Sequence, residues 1–138
     1  MKSFYADEVD IPYEDYKKLH AEGKCNLGIA NSAAEGISRI KGALPKGSGT
    51  GYAFSFYNLI GVGLFVGSIY LSFTWNWWAF IPGFFIASFI FNMNRKSNAE
   101  NVLDEALHNQ EFYEELRYLP TVKYQLDESV VEKYKLKN

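Results

Sequence analysis

The side chains able to do chemistry in this chain are few, and their spacing works against it. One cysteine, Cys25, and two histidines, His20 and His108, are its only thiol and imidazoles. Cys25 and His20 are the residue types of a thiolate nucleophile and its base, but Gly23 stands between them as a helix stop, so the spacing gives no reason for contact. A lone cysteine cannot close an internal disulfide, and no Cys or His cluster has ligand spacing, so no metal is expected. Glu111, Glu114 and Glu115 recur at helical spacing. With no His, Lys or apolar pocket beside them to tune proton affinity, they read as a solvated face. PKGSGTG at 45–51 invites comparison with phosphate-binding loops. The Walker pattern, however, puts Lys and Ser or Thr directly after the second of two spaced glycines, and here Lys46 precedes the glycines. The expectation is therefore a non-enzyme, with no catalytic residues, no metal ligands and no cofactor.

What the chain does carry in quantity is apolar surface. From Gly47 to Asn94, between Lys46 and Arg95, there is no Asp, Glu, Lys, Arg or His, and the stretch is dense in Phe, Ile, Leu, Val and Gly. Such a stretch cannot be solvated as a loop. A hydrocarbon layer about 30 Å thick is crossed by roughly 20 helical residues, so there is room for two crossings and a tight turn. The expected fold is an all-α membrane protein, a two-helix transmembrane hairpin with short amphipathic helices in both flanks. The boundaries are 1–51 for an N-terminal flank with two short helices, 52–93 for the hairpin and 94–138 for a C-terminal helical flank. Within the hairpin, crossings at 52–73 and 77–93 are joined by a Trp-rich turn at 74–76.

Several residues gain a role from that reading. Tyr52, Tyr57, Tyr70, Trp75, Trp77 and Trp78 form a membrane-interface belt, where an apolar ring with a wet polar tip is at home. Gly63 and Gly67 make a GxxxG, and Gly83 and Ala87 repeat the small-residue spacing. Close backbone approach drives helix association in lipid, so these four are expected at the contact between the two helices, with a homodimer face as the other reading. Arg39, Lys41 and Lys46 precede the first crossing and Arg95 and Lys96 follow the second, while the connector is uncharged. These positive-inside anchors put both termini in the cytoplasm of a bacterial inner membrane, or in the matrix for a mitochondrial inner membrane. No ionisable group marks an ion route within the crossings.

The flanks are each shorter than about 50 residues, a size at which one core is marginal without help. Asp10 and Pro12 suit the start of a helix over 11–22 that Gly23 stops. An extended connection follows at 25–29, then a capping box at Ser32 and Glu35 opening a helix over 32–44. The second crossing is expected to continue to Leu107, with a further helical run ending at Pro120. Val122, Tyr124 and Leu126 alternate with Lys123 and Gln125, a weak strand signature that needs an edge from the N-terminal segment or another chain. A last short helix opens at Ser129, and its lysines Lys133, Lys135 and Lys137 are too few for a dependable polybasic site. Tyr13, Tyr16, Phe112, Tyr113, Tyr118, Tyr124 and Tyr134 are either partner-binding surfaces or the shared core of two flanks packed together.

A net charge of −2 and balanced flanks exclude a global basic field for nucleic acid, and the acidic N-terminus excludes a secretory signal there. The expected partners are the lipid bilayer and other membrane-complex subunits. The expected function is a non-catalytic small membrane subunit or adaptor anchored by its hairpin and gripping partners with its flanks. The alternative is a self-assembling small pore or holin-like protein, a homo-oligomer.

Overall fold

Two long antiparallel helices stand on a small head that both ends of the chain build together. The computed structural model describes residues 1–136, so Lys137 of the C-terminal lysines lies outside the described residues. In chain order the elements are β1 (Lys2–Phe4), α1 (Tyr13–Ala21), β2 (Cys25–Ile29), α2 (Asn31–Arg39), α3 (Thr50–Thr74), a short 3-10 turn (Trp77–Ala79), α4 (Phe80–His108), α5 (Gln110–Arg117), β3 (Val122–Leu126) and α6 (Glu128–Tyr134).

The chain is mostly helical, with six α-helices among the described residues, but the all-α expectation is corrected by a three-stranded antiparallel sheet in the order β1-β3-β2. The weak alternation at 122–126 is its central strand. Cys25, Leu27 and Ile29 pair with Leu126, Tyr124 and Val122 on one side, and Lys2 and Phe4 pair with Leu126 and Tyr124 on the other. Val122, Tyr124 and Leu126 are buried while Lys123 and Gln125 are exposed, the period of two that a half-buried strand imposes. A strand from the C-terminal flank thus lies between two from the N-terminal flank. Isolated hairpins are marginal in water, so neither flank builds this sheet alone.

The helix ends follow local chemistry. α1 stops at Gly23, whose φ of 69° suits a residue without Cβ; the Gly23 amide donates to the His20 carbonyl and the Lys24 amide to that of Leu19, closing the helix C-terminus. The capping box expected at Ser32 and Glu35 does not form: α2 begins one residue earlier with no side-chain cap, and it ends at Arg39 rather than Leu44. Asp10 does not cap α1 either, since its carboxylate is drawn to Arg117 on α5. α4 does run on past Met93, as expected, and ends at Asn109. That residue leaves helical geometry at φ −135° and turns its side chain to accept from the Phe112 amide, opening α5. Asp127 caps α6 in the same way through the Ser129 amide.

The head's core comprises Val9, Ile11, Tyr16, Cys25, Leu27, Val102, Ala106, Tyr113, Leu116, Val122, Tyr124 and Leu126 with their neighbours. α4 links it to the hairpin. At 1.5 Å per residue its 29 residues span about 43 Å, the outer half packing on α3 and the inner half burying one face, Asn98, Ala99, Val102 and Ala106, in the head.

Candidate functional site

The surface that sets this molecule apart is the hairpin. Among the described residues one helix, Thr50–Thr74, is long and apolar enough to cross a membrane, and only 17% of its apolar window is buried inside the molecule. A core helix of a water-soluble domain hides most of such a window, whereas α3 presents Leu59, Val66, Leu71 and Phe73 outward. α4 shows Phe84, Phe85, Ile86 and Phe89 in the same way. It does not meet the same criterion, because Asn92, Asn94, Arg95 and Lys96 cut its apolar run short. Of the two helices expected to cross, one therefore has the length and apolarity to do so.

The helices meet along a line different from the one their glycine spacing suggests. Gly61 lies under Phe91, and a Cβ there would sit 2.7 Å from the ring. Gly83 lies against Ser68, where a Cβ would fall 2.0 Å from the serine Cβ. Ala87 is buried, and the Asn94 side-chain amide donates to the Phe54 carbonyl at 2.9 Å. Gly83 and Ala87 are thus at the contact, and Gly61 and Ser68 face them from α3. Gly63 and Gly67 are not: a Cβ at either would meet nothing within 4 Å. The reason is helical phase. Gly61 and Ser68 are seven apart and share a face, while Gly63 is turned about 200° from Gly61 at 100° per residue.

At the tip, the belt residues Trp75, Trp77 and Trp78 are exposed, with the rings of Trp77 and Trp78 4.4 Å apart. Tyr70 is exposed near them, and Tyr52 and Tyr57 are exposed towards the head end of α3. The cationic residues gather at that end. Arg39 closes α2, Lys41 and Lys46 lie in the exposed loop after it, and Arg95 and Lys96 follow Asn94 on α4. Arg95 donates through Nε to Glu35, and Arg39 Nη2 lies 3.6 Å from the other oxygen of the same carboxylate. Beside this trio a groove of about 750 Å³ opens between α2, α3 and α4, with Asn58, Val62 and Phe91 in its wall. The Glu105 carboxylate binds the hydroxyls of Ser48 (2.5 Å) and Thr50 (3.3 Å) at the start of α3. A negative charge there complements the positive end of the helix dipole.

The tyrosines resolve into core and surface. Tyr13, Tyr16, Phe112, Tyr113, Tyr124 and Tyr134 are buried in the head, and of the seven partner-binding candidates Tyr118 alone is exposed, at 67%. Six belong to the two flanks packed together, because each flank lacks an aliphatic core of its own size. Tyr113 donates to the Ile11 carbonyl at 2.7 Å, which leaves Tyr124 to donate to Tyr113 across 2.8 Å. Arg117 Nη1 donates to that same carbonyl at 2.9 Å, so both its lone pairs are used. Burial raises the Tyr124 phenol to about 12 and pushes Tyr113 and Tyr16 up as well.

The remaining candidates make no constellation. His20 does approach Cys25, but Nδ1 donates to its carbonyl at 3.2 Å rather than to the thiol. The thiol is buried, and burial raises it to about 12, which holds it protonated and inert. His108 is exposed and donates to the Asp104 carbonyl. Glu114 lies 3.5 Å from Arg117, and Glu111 and Glu115 face solvent. No group of three or more His, Cys, Asp or Glu that could hold a metal occurs among the described residues. Asn109 and Arg117 were missed as organising residues. Asn109 has a cap's residue type within an unbroken helical pattern, while the role of Arg117 depends on a partner 107 positions away, which no local signal carries.

Comparison of the chain with protein-family models, with curated proteins and with solved structures finds no match to any of them.

Proposed function

We propose that the chain is a small integral membrane protein whose α3 and α4 form a transmembrane hairpin, with the head and both termini on the cytoplasmic side. In this reading it is a non-catalytic subunit or adaptor of a membrane complex. The observation that carries the reading is the mismatch between apolarity and burial on α3. An exposed apolar helix is stable where lipid replaces water. From Phe54 to Phe73 α3 rises about 29 Å, close to the hydrocarbon thickness. α4 is shorter in its apolar part, and Arg95 and Lys96, exposed just beyond the buried Asn94, would reach the interface as a snorkelling end does. With charge gathered at one end of the hairpin and Trp at the other, the positive-inside tendency sets the orientation.

A cysteine placed at Asn76 in a Cys25→Ala background should react with a membrane-impermeant maleimide from outside intact cells, and one at Glu132 should react only after lysis. Release of the chain by alkaline carbonate, or equal labelling at both sites, refutes the membrane reading. In a membrane, the outward Gly63 and Gly67 offer a flat surface to a further helix. A subunit of a complex is the leading occupant. A second copy, as in a self-assembling pore, is the other reading that this surface favours, and Gly63→Ile with Gly67→Ile would then abolish permeabilisation on overexpression.

A further inference from the structure

We infer that the groove where the hairpin meets the head is a binding site for one anionic phospholipid, an inference that rests on the membrane reading above. The groove is graded in polarity along its length. At the head end stand the guanidinium groups of Arg39 and Arg95, one helical turn below Phe54 comes Asn58, and one turn further comes Val62, with Phe91 facing it from α4. Phe54 to Val62 rises about 12 Å. Cation, then amide, then hydrocarbon is the order in which a phospholipid presents phosphate, ester and acyl chain. A volume of about 750 Å³ lies within the range of roughly 300–1,000 Å³ usual for a ligand site.

Glu35 decides the charge of the ligand. Its side chain is 17% exposed and already engaged by both arginines, whereas those of Arg39 and Arg95 are 68% and 49% exposed. The carboxylate is therefore held inside, setting the two guanidinium planes, and positive charge is what the groove shows outward. Arg95 uses Nε on Glu35, leaving its two Nη groups for the paired bonds that phosphate oxygens accept. Arg39 is steadied over the Phe54 ring at 5.8 Å. The groove opens beside the exposed apolar face of α3, so a lipid reaches it sideways from the bilayer without leaving hydrocarbon.

The full chain, purified in a mild detergent, is mixed with phosphatidylglycerol or phosphatidylcholine and its retained lipids are counted by native mass spectrometry. One phosphatidylglycerol per chain is expected, in preference to phosphatidylcholine. Arg39→Gln and Arg95→Gln should each weaken retention by about tenfold, the loss of one charge-assisted contact. Val62→Trp, which fills the groove and leaves the Glu35 cluster intact, should remove the lipid as well, so the test does not hang on how the arginine variants fold. Lys41→Gln, Lys46→Gln and Lys96→Gln together should leave retention unchanged. Equal retention of both lipids, loss in the lysine variant, retention in the Val62→Trp variant, or full displacement by inorganic phosphate each overturns the site. Carbonate extraction of the same membranes separates the two readings: release of the chain overturns both, and a resistant chain without lipid selectivity overturns this one alone.

Discussion

The contact between Gly83 and Ser68 allows a sharp test of how the hairpin is held. A Cβ on Gly83 would stand 2.0 Å from Ser68 Cβ and 2.5 Å from its Oγ, whereas carbon atoms are comfortable at about 3.5–4.0 Å. Gly83→Ala therefore forces α3 and α4 about 1.5 Å apart at this level or rotates them, since Ser68 is buried and has a short side chain with nowhere to swing. Overpacking of this kind costs about 1–3 kcal/mol. That loss exceeds the helix-propensity gain of up to about 1 kcal/mol that Ala brings over Gly in water. The control is Gly63→Ala, where the new methyl meets nothing within 4 Å; it should be neutral or slightly stabilising. The decisive variant is the double one. Ser68→Gly removes both atoms the new methyl would strike, so Ser68→Gly with Gly83→Ala should recover most of the loss, giving a coupling well outside additivity. Reversible unfolding of the detergent-solubilised chain, followed by fluorescence of the three tryptophans at the tip, measures all four proteins. A neutral Gly83→Ala, or a double variant no better than the sum of its parts, refutes the interhelical geometry.

Two further predictions concern the head. Arg117→Ala should cost about 2–4 kcal/mol, because it empties a buried site and takes a donor from the Ile11 carbonyl. Asp10→Ala should cost about 1 kcal/mol, since that carboxylate is 58% exposed and water screens the pair; thermal melts giving the reverse order would refute the assignment. Alkaline pH should unfold the head cooperatively. Burial raises the Cys25 thiol from 9.0 and the Tyr124 phenol from 10.0, each to about 12, so the folded state keeps protons that the unfolded state releases. Stability is then fully present below about pH 9. It falls as pH rises by about 1.4 kcal/mol per unit for each such group and is lost through about 12. Tyrosinate absorbance should rise in a step coincident with loss of near-ultraviolet circular dichroism, and smooth ionisation of all tyrosines with the fold intact would refute it.

How much of this was legible in the sequence depended on whether the signal was local. The uncharged stretch from 47 to 94 marks α3 because exclusion of charge is a property of each residue in it, and continuity of α4 to His108 could be read because nothing between Gly83 and Asn109 interrupts a helix. The sheet was harder. β2 reads CNLGI and β1 reads KSF, neither with a strand's usual alternation of β-branched and aromatic residues, and both are strands because β3 supplies the missing hydrogen bonds from about a hundred positions away. The capping box misled for the same reason: Ser32 and Glu35 have the right spacing, but α2 already begins at Asn31, so Ser32 lies inside the helix rather than at its cap.

The candidate site divides along the same line. Gly63 and Gly67 are spaced four apart, as a helix contact favours, yet the contact is made by Gly61, Ser68, Gly83 and Ala87. Spacing identifies which residues share a face, and only the position of the second helix decides which face is covered. That position is set outside the hairpin: α4 enters the head rigidly, with Asn98, Val102 and Ala106 buried and Ser38 of α2 donating to Asn98 at 2.7 Å. The head thereby fixes the rotation of α4, and through Asn94 and Phe54 the rotation of α3 against it. The face bearing Gly63 and Gly67 is left outward as a consequence of how the head is built, so a change in the head, such as Asn98→Leu, is expected to reach the hairpin surface through the helix that joins them.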